Sequence, residues 1–198
     1  MPITSEIRAV SDTAFCLFDT ALGRCAIIWR GGLVVGAALP EADDEQLRGS
    51  LSRRFPGCTG QAPPPPVAAA IAAVVRLLDG EPEDLSSLAI DLTSLAAFEQ
   101  AVLRETLAIP AGETRTYGEI AAALGSPGAA RAVGRALGAN PIPIIVPCHR
   151  VLASDGRSGG FSAPGGASTK LRMLEIEGAR RGNEPQLFER LPWRAKPR

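Results

Sequence analysis

The segment PIPIIVPCHRV, residues 141–151, places a thiol beside an imidazole on a stiff, apolar stretch of chain. Cys148 is followed by His149, the only histidine in the sequence, and then by Arg150. A nearby base can activate a cysteine for nucleophilic attack, and a neighbouring positive charge favours the thiolate. The alternative is an inert, packed thiol beside a hydrogen-bonded imidazole, because most buried cysteines are unreactive. The residue types therefore permit either a nucleophile or an ordinary piece of core.

The geometry expected for this segment limits how the thiol could lose its proton. Successive residues of an extended chain point to opposite sides, so a direct hydrogen bond between Cys148 and His149 is awkward and a bridging water is favoured. A carboxylate would then be needed to orient the imidazole and to stabilise its charged form. The candidates downstream are Asp155, Glu175 and Glu177.

The N-terminal part of the chain has the pattern of a small sheet with helices. Apolar segments between residues 14 and 39, separated by ALGR and GG, predict three short antiparallel strands. Residues 41–55 begin with acidic and end with basic side chains, which favours a helix. The stretch QAPPPPVA predicts a loop, and the segment VAAAIAAVVRLLDG, which begins at Val67, predicts a second helix that ends at Gly80.

The middle of the chain carries further start and stop signals. LAIDLTS predicts a short strand that leads into a helix capped by Thr93 or Ser94 and ended by Pro110. Thr116 and Glu119 then have the spacing of a capping box ahead of IAAAL. A fourth helix is therefore expected to begin close to residue 117.

Two short helices joined by a glycine-containing turn make a helix-turn-helix candidate. Gly125 ends the first helix, Pro127 lies in the turn or at the first position of the next helix, and Gly138 ends the second helix, AARAVGRALG. Helical hairpins in ordinary cores share this pattern. The second helix is almost entirely Ala, Gly and Val apart from Arg131 and Arg135. It therefore favours sequence-independent contact with DNA, through the minor groove, over the reading of base edges.

Composition and charge narrow the class of protein. The 198 residues are 45% apolar, which is typical of a folded chain, and neither a signal peptide nor a membrane-spanning stretch is recognisable, so we expect a cytoplasmic protein. Residues 1–94 carry 7 basic and 12 acidic side chains, a net charge of −5, whereas residues 95–198 carry 14 basic and 9 acidic side chains, a net charge of +5. This asymmetry is either chance or a sign that the C-terminal half meets a polyanion, and the charge alone favours neither interpretation strongly. Scattered cysteines and a single histidine predict no metal site and no disulfide framework.

At this point the motifs TYGEIAAALG, AARAVGRALG, ANPIPIIV and PCHRV together resemble the 6-O-alkylguanine-DNA alkyltransferases, also called methylated-DNA–protein-cysteine S-methyltransferases. The match runs from about Phe98 to about Gly178. The resemblance implies an α+β protein in three parts. These are a small, ribonuclease-H-like antiparallel-sheet domain over residues 1–92, a mainly helical, winged-helix-like domain with a helix-turn-helix over residues 93–180, and a basic tail over residues 181–198.

The resemblance also implies a role for each residue of the motif. Cys148 would accept the alkyl group, His149 would take the thiol proton through a water, and Glu177 would orient the imidazole. Asn140 would brace the turn before the cysteine, and Tyr117 would assist protonation of the guanine leaving group.

Contacts with DNA are implied in the same way. Arg131 would fill the gap left by the flipped nucleotide. The other implied contacts lie on the second helix (Ala130, Arg135), at the alkyl group (Pro143, Phe161), along the guanine edge (Val151, Ser162) and beside the pocket (Lys170). Phe161 stands where many relatives have Tyr, and about two extra residues precede Lys170, which leaves the preferred alkyl size open.

The activity implied by the resemblance is a single, irreversible transfer from 6-O-alkylguanine, and from 4-O-alkylthymine, in double-stranded DNA to Cys148. No cofactor, no metal and no regeneration are expected, and the protein would be a monomer, associated with the nucleoid in a bacterium. Three alternatives stay open: a lesion-binding relative without transfer, a transcription regulator and a Cys–His hydrolase. The presence of Cys148 argues against the first, the Ala/Gly-rich second helix against the second, and the adjacent placement of Cys148 and His149 against the third.

Overall fold

The structure is a computed structural model, and it describes residues 12–154 and 164–179. Its N-terminal part is a four-stranded sheet in the order β3-β2-β1-β4. The strands are β1 (Thr13–Thr20), β2 (Gly23–Arg30), β3 (Leu33–Ala38) and β4 (Thr59–Gly60). The predicted antiparallel β1–β2–β3 meander is confirmed, and the two-residue β4, which pairs parallel to β1, adds a strand that the sequence pattern did not predict.

Two helices cover opposite faces of this sheet, because side chains alternate along each strand. Helix α1 (Asp44–Arg54) packs Leu47 and Leu51 against the face that carries Ile28. Helix α2 (Pro65–Leu78) packs against the other face, in the larger core that includes Ile27. Helix α2 begins two residues earlier than predicted, because proline is tolerated in the first turn of a helix, where the backbone N–H groups have no partner.

The expectations for residues 88–110 are wrong in detail. Only Ile90 forms a bridge, to Val34 of β3, so the predicted strand is one contact long. Thr93 does not cap a helix, because its N–H and hydroxyl both donate to the Asp91 carboxylate, at 2.8 and 2.6 Å. Nor does Ser94: helix α3 (Ala97–Leu107) starts after Ala96, whose N–H donates to Glu99 Oε2, and it ends three residues before Pro110.

The helix-turn-helix is present as predicted. It consists of α4 (Tyr117–Ala123) and α5 (Ala130–Gly138), which pack on each other and on α3. The capping box forms, since Glu119 N–H donates to Thr116 Oγ1 at 3.1 Å and the Glu119 carboxylate accepts from Thr116 N–H at 2.5 Å. Gly125, at φ +67°, ends α4 in a Schellman motif.

The remaining elements carry the chain around the cysteine. A 3₁₀ turn, Cys148–Arg150, leads into β6 (Val151–Leu152), which pairs parallel with β5 (Arg115–Thr116), and α6 (Gly166–Ile176) follows. The small sheet and the helical part share one continuous apolar core that runs from Ala14 to Met173.

The domain boundary near residue 92 stays a prediction, and residues 155–163 and the predicted basic tail lie outside the described residues. Within the described part of the chain, no helix is long and apolar enough to span a membrane.

Candidate active site

The segment that precedes the cysteine is folded tightly around the Asn140 side chain. Asn140 Oδ1 accepts from Ile142 N–H at 3.0 Å, and Asn140 Nδ2 donates to the Val146 carbonyl at 2.9 Å. Val146 N–H donates to the Ile142 carbonyl at 2.9 Å, which closes the turn. Ile144, at φ +75°, is the only non-glycine residue in the left-handed region among the described residues. A buried, β-branched residue in this conformation costs on the order of 1–3 kcal/mol, so surrounding contacts must stabilise the turn.

The cysteine itself lies on the 3₁₀ turn and not on an extended chain, which corrects the expected geometry. Cys148 N–H donates to the Val146 carbonyl at 2.8 Å, and Arg150 N–H donates to the Pro147 carbonyl at 2.8 Å. Each proline fixes its own φ but leaves the residues after it free to turn. The prolines at 141, 143 and 147 therefore do not enforce an extended chain up to residue 151. Cys148, His149 and Arg150 are all buried.

A buried carboxylate joins the second and third residues of this turn. His149 Nε2 lies 2.9 Å from Glu177 Oε1, and the side chains are 0% and 1% exposed. Arg150 donates to the same carboxylate through Nε (2.9 Å to Oε2) and Nη2 (2.8 Å to Oε1). Arg150 Nη1 also donates to the Ile109 carbonyl at 2.5 Å. Of the three carboxylates considered from the sequence, Glu177 lies beside the imidazole, Glu175 is exposed and pairs with Arg172, and Asp155 lies outside the described residues.

The end of helix α6 fixes the position of Glu177. Glu177 is the C-cap residue, and Gly178 follows it in the left-handed region at φ +60°. Gly178 N–H donates to the Glu175 carbonyl at 3.0 Å and Ala179 N–H to the Leu174 carbonyl at 2.9 Å, which is a Schellman motif. The carboxylate is therefore placed by a helix terminus and not by a loop.

The electrostatics of the cluster favour a neutral imidazole beside an ionised carboxylate. Burial lowers the pKa of His149, and the Glu177 charge only partly opposes this. Burial works against ionisation of Glu177, but its charge interactions and hydrogen bonds with His149 and Arg150 together outweigh burial and lower its pKa to about 2. An ionised Glu177 can only accept, so the neutral imidazole carries its proton on Nε2. The other nitrogen, Nδ1, is buried and has no hydrogen-bond partner within the described residues.

The thiol and its neighbours form a second electrostatic group. Burial raises the pKa of Cys148, whereas hydrogen bonding from Asn140 and the charge of Lys170 act in the opposite direction. Lys170 is itself fully buried; Nζ donates to the Val151 carbonyl at 2.6 Å and lies 5.8 Å from the centre of the Tyr117 ring. Burial lowers the pKa of Lys170 to about 8, although Cys148 opposes the shift.

A cavity of about 380 Å³ opens beside the thiol. Four of the residues predicted for the site line this cavity: Tyr117, Asn140, Pro143 and Cys148. Gly134 of α5 faces it too, and a Cβ there would lie 3.8 Å from the Tyr117 ring. The small sheet and its helix contribute Ala38, Leu39, Glu41, Ser50 and Arg54, none of which sequence reasoning included.

Three of the residues predicted to contact DNA lie on α5, the second helix of the helix-turn-helix. Ala130 is the first residue of α5 and is half-buried, while Arg131 and Arg135 are exposed. The predicted contacts Phe161 and Ser162 lie outside the described residues.

The other three cysteines lie in the N-terminal part. Burial raises the pKa of Cys16 and Cys58, and raises that of Cys25 to about 11 against the effect of its hydrogen bond with Thr20. In the part of the chain that the structure describes, no group of three or more His, Cys, Asp or Glu side chains could bind a metal ion.

Fold and site together define a helix-turn-helix protein in which a buried cysteine lies next to a His–Glu–Arg cluster. Residues 97–179 match the family described as 6-O-methylguanine DNA methyltransferase, DNA binding domain. The methylated-DNA–protein-cysteine methyltransferase of Mycobacterium tuberculosis is 52% identical over 92 residues, which is 46% of this chain and 54% of that protein. The probable methylated-DNA–protein-cysteine methyltransferase of Acanthamoeba polyphaga mimivirus is 41% identical over 112 residues, or 57% of this chain and 72% of that protein.

Solved structures agree with the sequence comparison. The crystal structure of Mycobacterium tuberculosis OGT in complex with DNA superposes with a TM-score of 0.68 at 33% identity, covering 83% of this chain and 92% of that chain. The chain belongs to the 6-O-methylguanine DNA methyltransferase family, as its sequence motifs indicated. In the sequence alignment it spans about half the length of the mycobacterial relative.

Proposed function

We propose that this protein repairs alkylated DNA by transferring the alkyl group of 6-O-alkylguanine, and of 4-O-alkylthymine, to Cys148. The transfer is direct and irreversible, and each molecule acts once. The observation that carries the proposal is the position of Cys148 at a base-sized cavity, one residue before an imidazole whose Nδ1 has no other partner among the described residues.

The proton of the thiol leaves through the histidine. Glu177 accepts from His149 Nε2, so the lone pair of the neutral ring is on Nδ1. Nδ1 takes the Cys148 proton through a water, and the Glu177 charge stabilises the imidazolium that forms. Arg150 keeps Glu177 ionised while the imidazole is neutral, whereas the sequence indicated Arg150 only as a positive charge near the thiol.

The transfer step is an in-line displacement at the alkyl carbon. The bond from Cys148 Sγ to carbon forms as the bond from that carbon to guanine O6 breaks, and the electron pair of the broken bond stays with the guanine. Tyr117 assists protonation of that leaving group from the wall of the cavity. The thioether that forms is stable and the Cys148 thiol is not restored, so each protein molecule is consumed by one reaction.

The substrate base must leave the duplex to reach a buried thiol. Helix α5 has the right surface for this, because its exposed arginines can contact the backbone and the space left by the base, while Gly134 leaves room at the cavity. A member of the same family, Mycobacterium tuberculosis OGT, has been crystallised with DNA. We therefore propose double-stranded DNA, bound without strong sequence preference by a monomer in the cytoplasm, as the partner.

The experiment measures the intact mass of the protein after incubation with a duplex oligonucleotide that bears one 6-O-methylguanine. We expect a gain of one methyl group that maps to Cys148 and stops at one equivalent. Cys148→Ala should bind the duplex and gain nothing, whereas Cys58→Ala, at a distant half-buried cysteine, should react like the unmodified protein. Tight, lesion-preferring binding without any mass change would leave a damage-recognition protein and end the transferase proposal.

A further inference from the structure

The acceptor segment, residues 140–148, is hydrogen-bonded to the small N-terminal sheet and to α1 through the Pro141 carbonyl. The Pro141 carbonyl accepts from Ala37 N–H of β3 at 2.9 Å and from Arg54 Nη2, at the end of α1, at 3.2 Å. Both donors come from residues 12–92, whereas Pro141 is the neighbour of Asn140, whose side chain braces the turn that ends at Cys148. The contact therefore links the sheet to the turn that carries the thiol.

The sheet edge explains why this contact is available. Strand β3 is at the end of the sheet order, and Ala37 N–H points away from β2. An unpaired edge donor needs a partner, and the Pro141 carbonyl provides it. Further along the same edge of β3, Val34 N–H donates to the Ala89 carbonyl and the Val34 carbonyl accepts from Asp91 N–H.

The guanidinium of Arg54 is held in place on the N-terminal side. Nη1 and Nη2 each donate to the Ala37 carbonyl at 3.3 Å, and the guanidinium lies 5.4 Å from the centre of the Phe55 ring. The Phe55 ring occupies the space above Gly36, where any Cβ would clash with it. The arginine thus spans two carbonyls, one on the sheet and one on the acceptor segment, with its donors held in a planar fork.

We propose that Arg54 is a positioning residue for Cys148: with Ala37 it fixes the Pro141 carbonyl, and through it the acceptor turn, in the geometry needed for transfer. The turn contains the left-handed Ile144, so it requires outside contacts to keep its shape. Arg54 also lines the cavity beside the thiol, which places its effect within the site and not at a remote surface. This inference rests on the proposed alkyl transfer.

The test compares Arg54→Ala and Arg54→Lys with Arg53→Ala, the adjacent arginine whose described contact is to Ser50 Oγ at 3.0 Å. Single-turnover methyl transfer is followed by intact mass over a range of duplex concentrations. We expect Arg54→Ala to lower the maximal rate about 10- to 100-fold, because small misplacements of reacting groups have effects of this size. The duplex concentration at half-maximal rate should stay within about twofold. Arg54→Lys should fall between Arg54→Ala and the unmodified protein, and Arg53→Ala should react normally.

A second variant and a second measurement keep the test independent of folding and of the repair reaction. Ala37→Pro removes the other donor to the Pro141 carbonyl and brings its ring against that oxygen, so it should slow transfer in the same way. Iodoacetamide labelling of Cys148 without DNA should also slow in both variants and shift to higher pH. Normal maximal rates in Arg54→Ala, or a loss confined to duplex affinity, would overturn the inference. If the unmodified protein transferred nothing, the proposed function would fail, while the labelling would still report on the positioning.

Discussion

Replacing Glu177 by Gln tests the buried cluster more sharply than any other change. The substitution keeps the shape of the side chain and removes its charge, leaving Arg150 buried, at 5% exposure, without the carboxylate to which its guanidinium donates. A carboxyl pKa lowered from its ordinary 4.5 to about 2 corresponds to about 3 kcal/mol of folding free energy. Removal of one partner from a buried ion pair costs a similar amount, about 3–5 kcal/mol. We therefore expect Glu177→Gln to unfold at pH 7 with about 3 kcal/mol less free energy than the unmodified protein.

The loss should depend on pH with a defined sign. Because the folded-state pKa of Glu177 is lowered, its contribution is complete above about pH 4.5 and disappears as the pH falls towards about 2. Glutamine does not titrate, so the difference between the two proteins should shrink over that window. Urea unfolding at a series of pH values measures it. Single-turnover methyl transfer should fall at least about 100-fold in the variant, because the imidazole loses the carboxylate that orients it and stabilises its charge.

Glu175→Gln is the matched control for this experiment. Glu175 is two residues earlier on α6, and its ion pair with Arg172 is exposed, with side chains 46% and 55% accessible. Exposed pairs contribute about 0–1 kcal/mol, so we expect little change in stability and none in the rate of transfer. Equal effects of the two substitutions, or a Glu177→Gln protein that is as stable as the unmodified one at pH 7, would refute the assignment of Glu177 as an ionised partner of His149 and Arg150.

Two further predictions concern the surroundings of the thiol. Lys170→Met removes a buried positive charge that lowers the pKa of Cys148, so the pH midpoint of iodoacetamide labelling at Cys148 should move upwards; an unchanged midpoint would show that the ammonium does not act on the thiol. Gly178→Ala forces a side chain into the left-handed region at φ +60°, which costs about 1–2 kcal/mol, and displaces Glu177, so transfer should slow. Gly125→Ala, at φ +67° in the helix-turn-helix, should lose similar stability in thermal unfolding while Cys148 labelling stays normal.

Local sequence signals predicted those elements whose ends are determined locally. The Thr116–Glu119 capping box and the Gly125 stop both depend on residues within one turn of the helix, and both are present. The start of α3 could not be found in this way. Thr93 is as good a cap by type as Thr116, but the carboxylate of Asp91 two residues earlier binds its hydroxyl and its N–H, and the helix begins later.

The candidate site was predictable only where one continuous motif contains it. The motif drew attention to Cys148, His149 and Asn140, and Glu177 was one of three carboxylates considered. The contribution of the N-terminal part to the cavity, including Arg54, is invisible to local patterns because it joins residues 87 positions apart. Charge and spacing do not show which carbonyl such an arginine will reach; the packing of the sheet on the acceptor segment decides it.

The arrangement of the cluster bears on when the thiol becomes reactive. Burial raises the pKa of Cys148, so the resting protein carries a thiol and not a thiolate at neutral pH. A permanently ionised cysteine would react with any electrophile small enough to enter, and each such reaction would consume a protein that acts once. In the transfer we propose, the neutral His149, whose buried Nδ1 has no hydrogen-bond partner within the described residues, accepts the proton only as the sulfur begins to bond to carbon. Burial of Cys148 and ionisation of Glu177 therefore act together in the proposed transfer. Burial keeps the sulfur protonated at rest, and the Glu177 charge stabilises the imidazolium that forms when the thiol loses its proton.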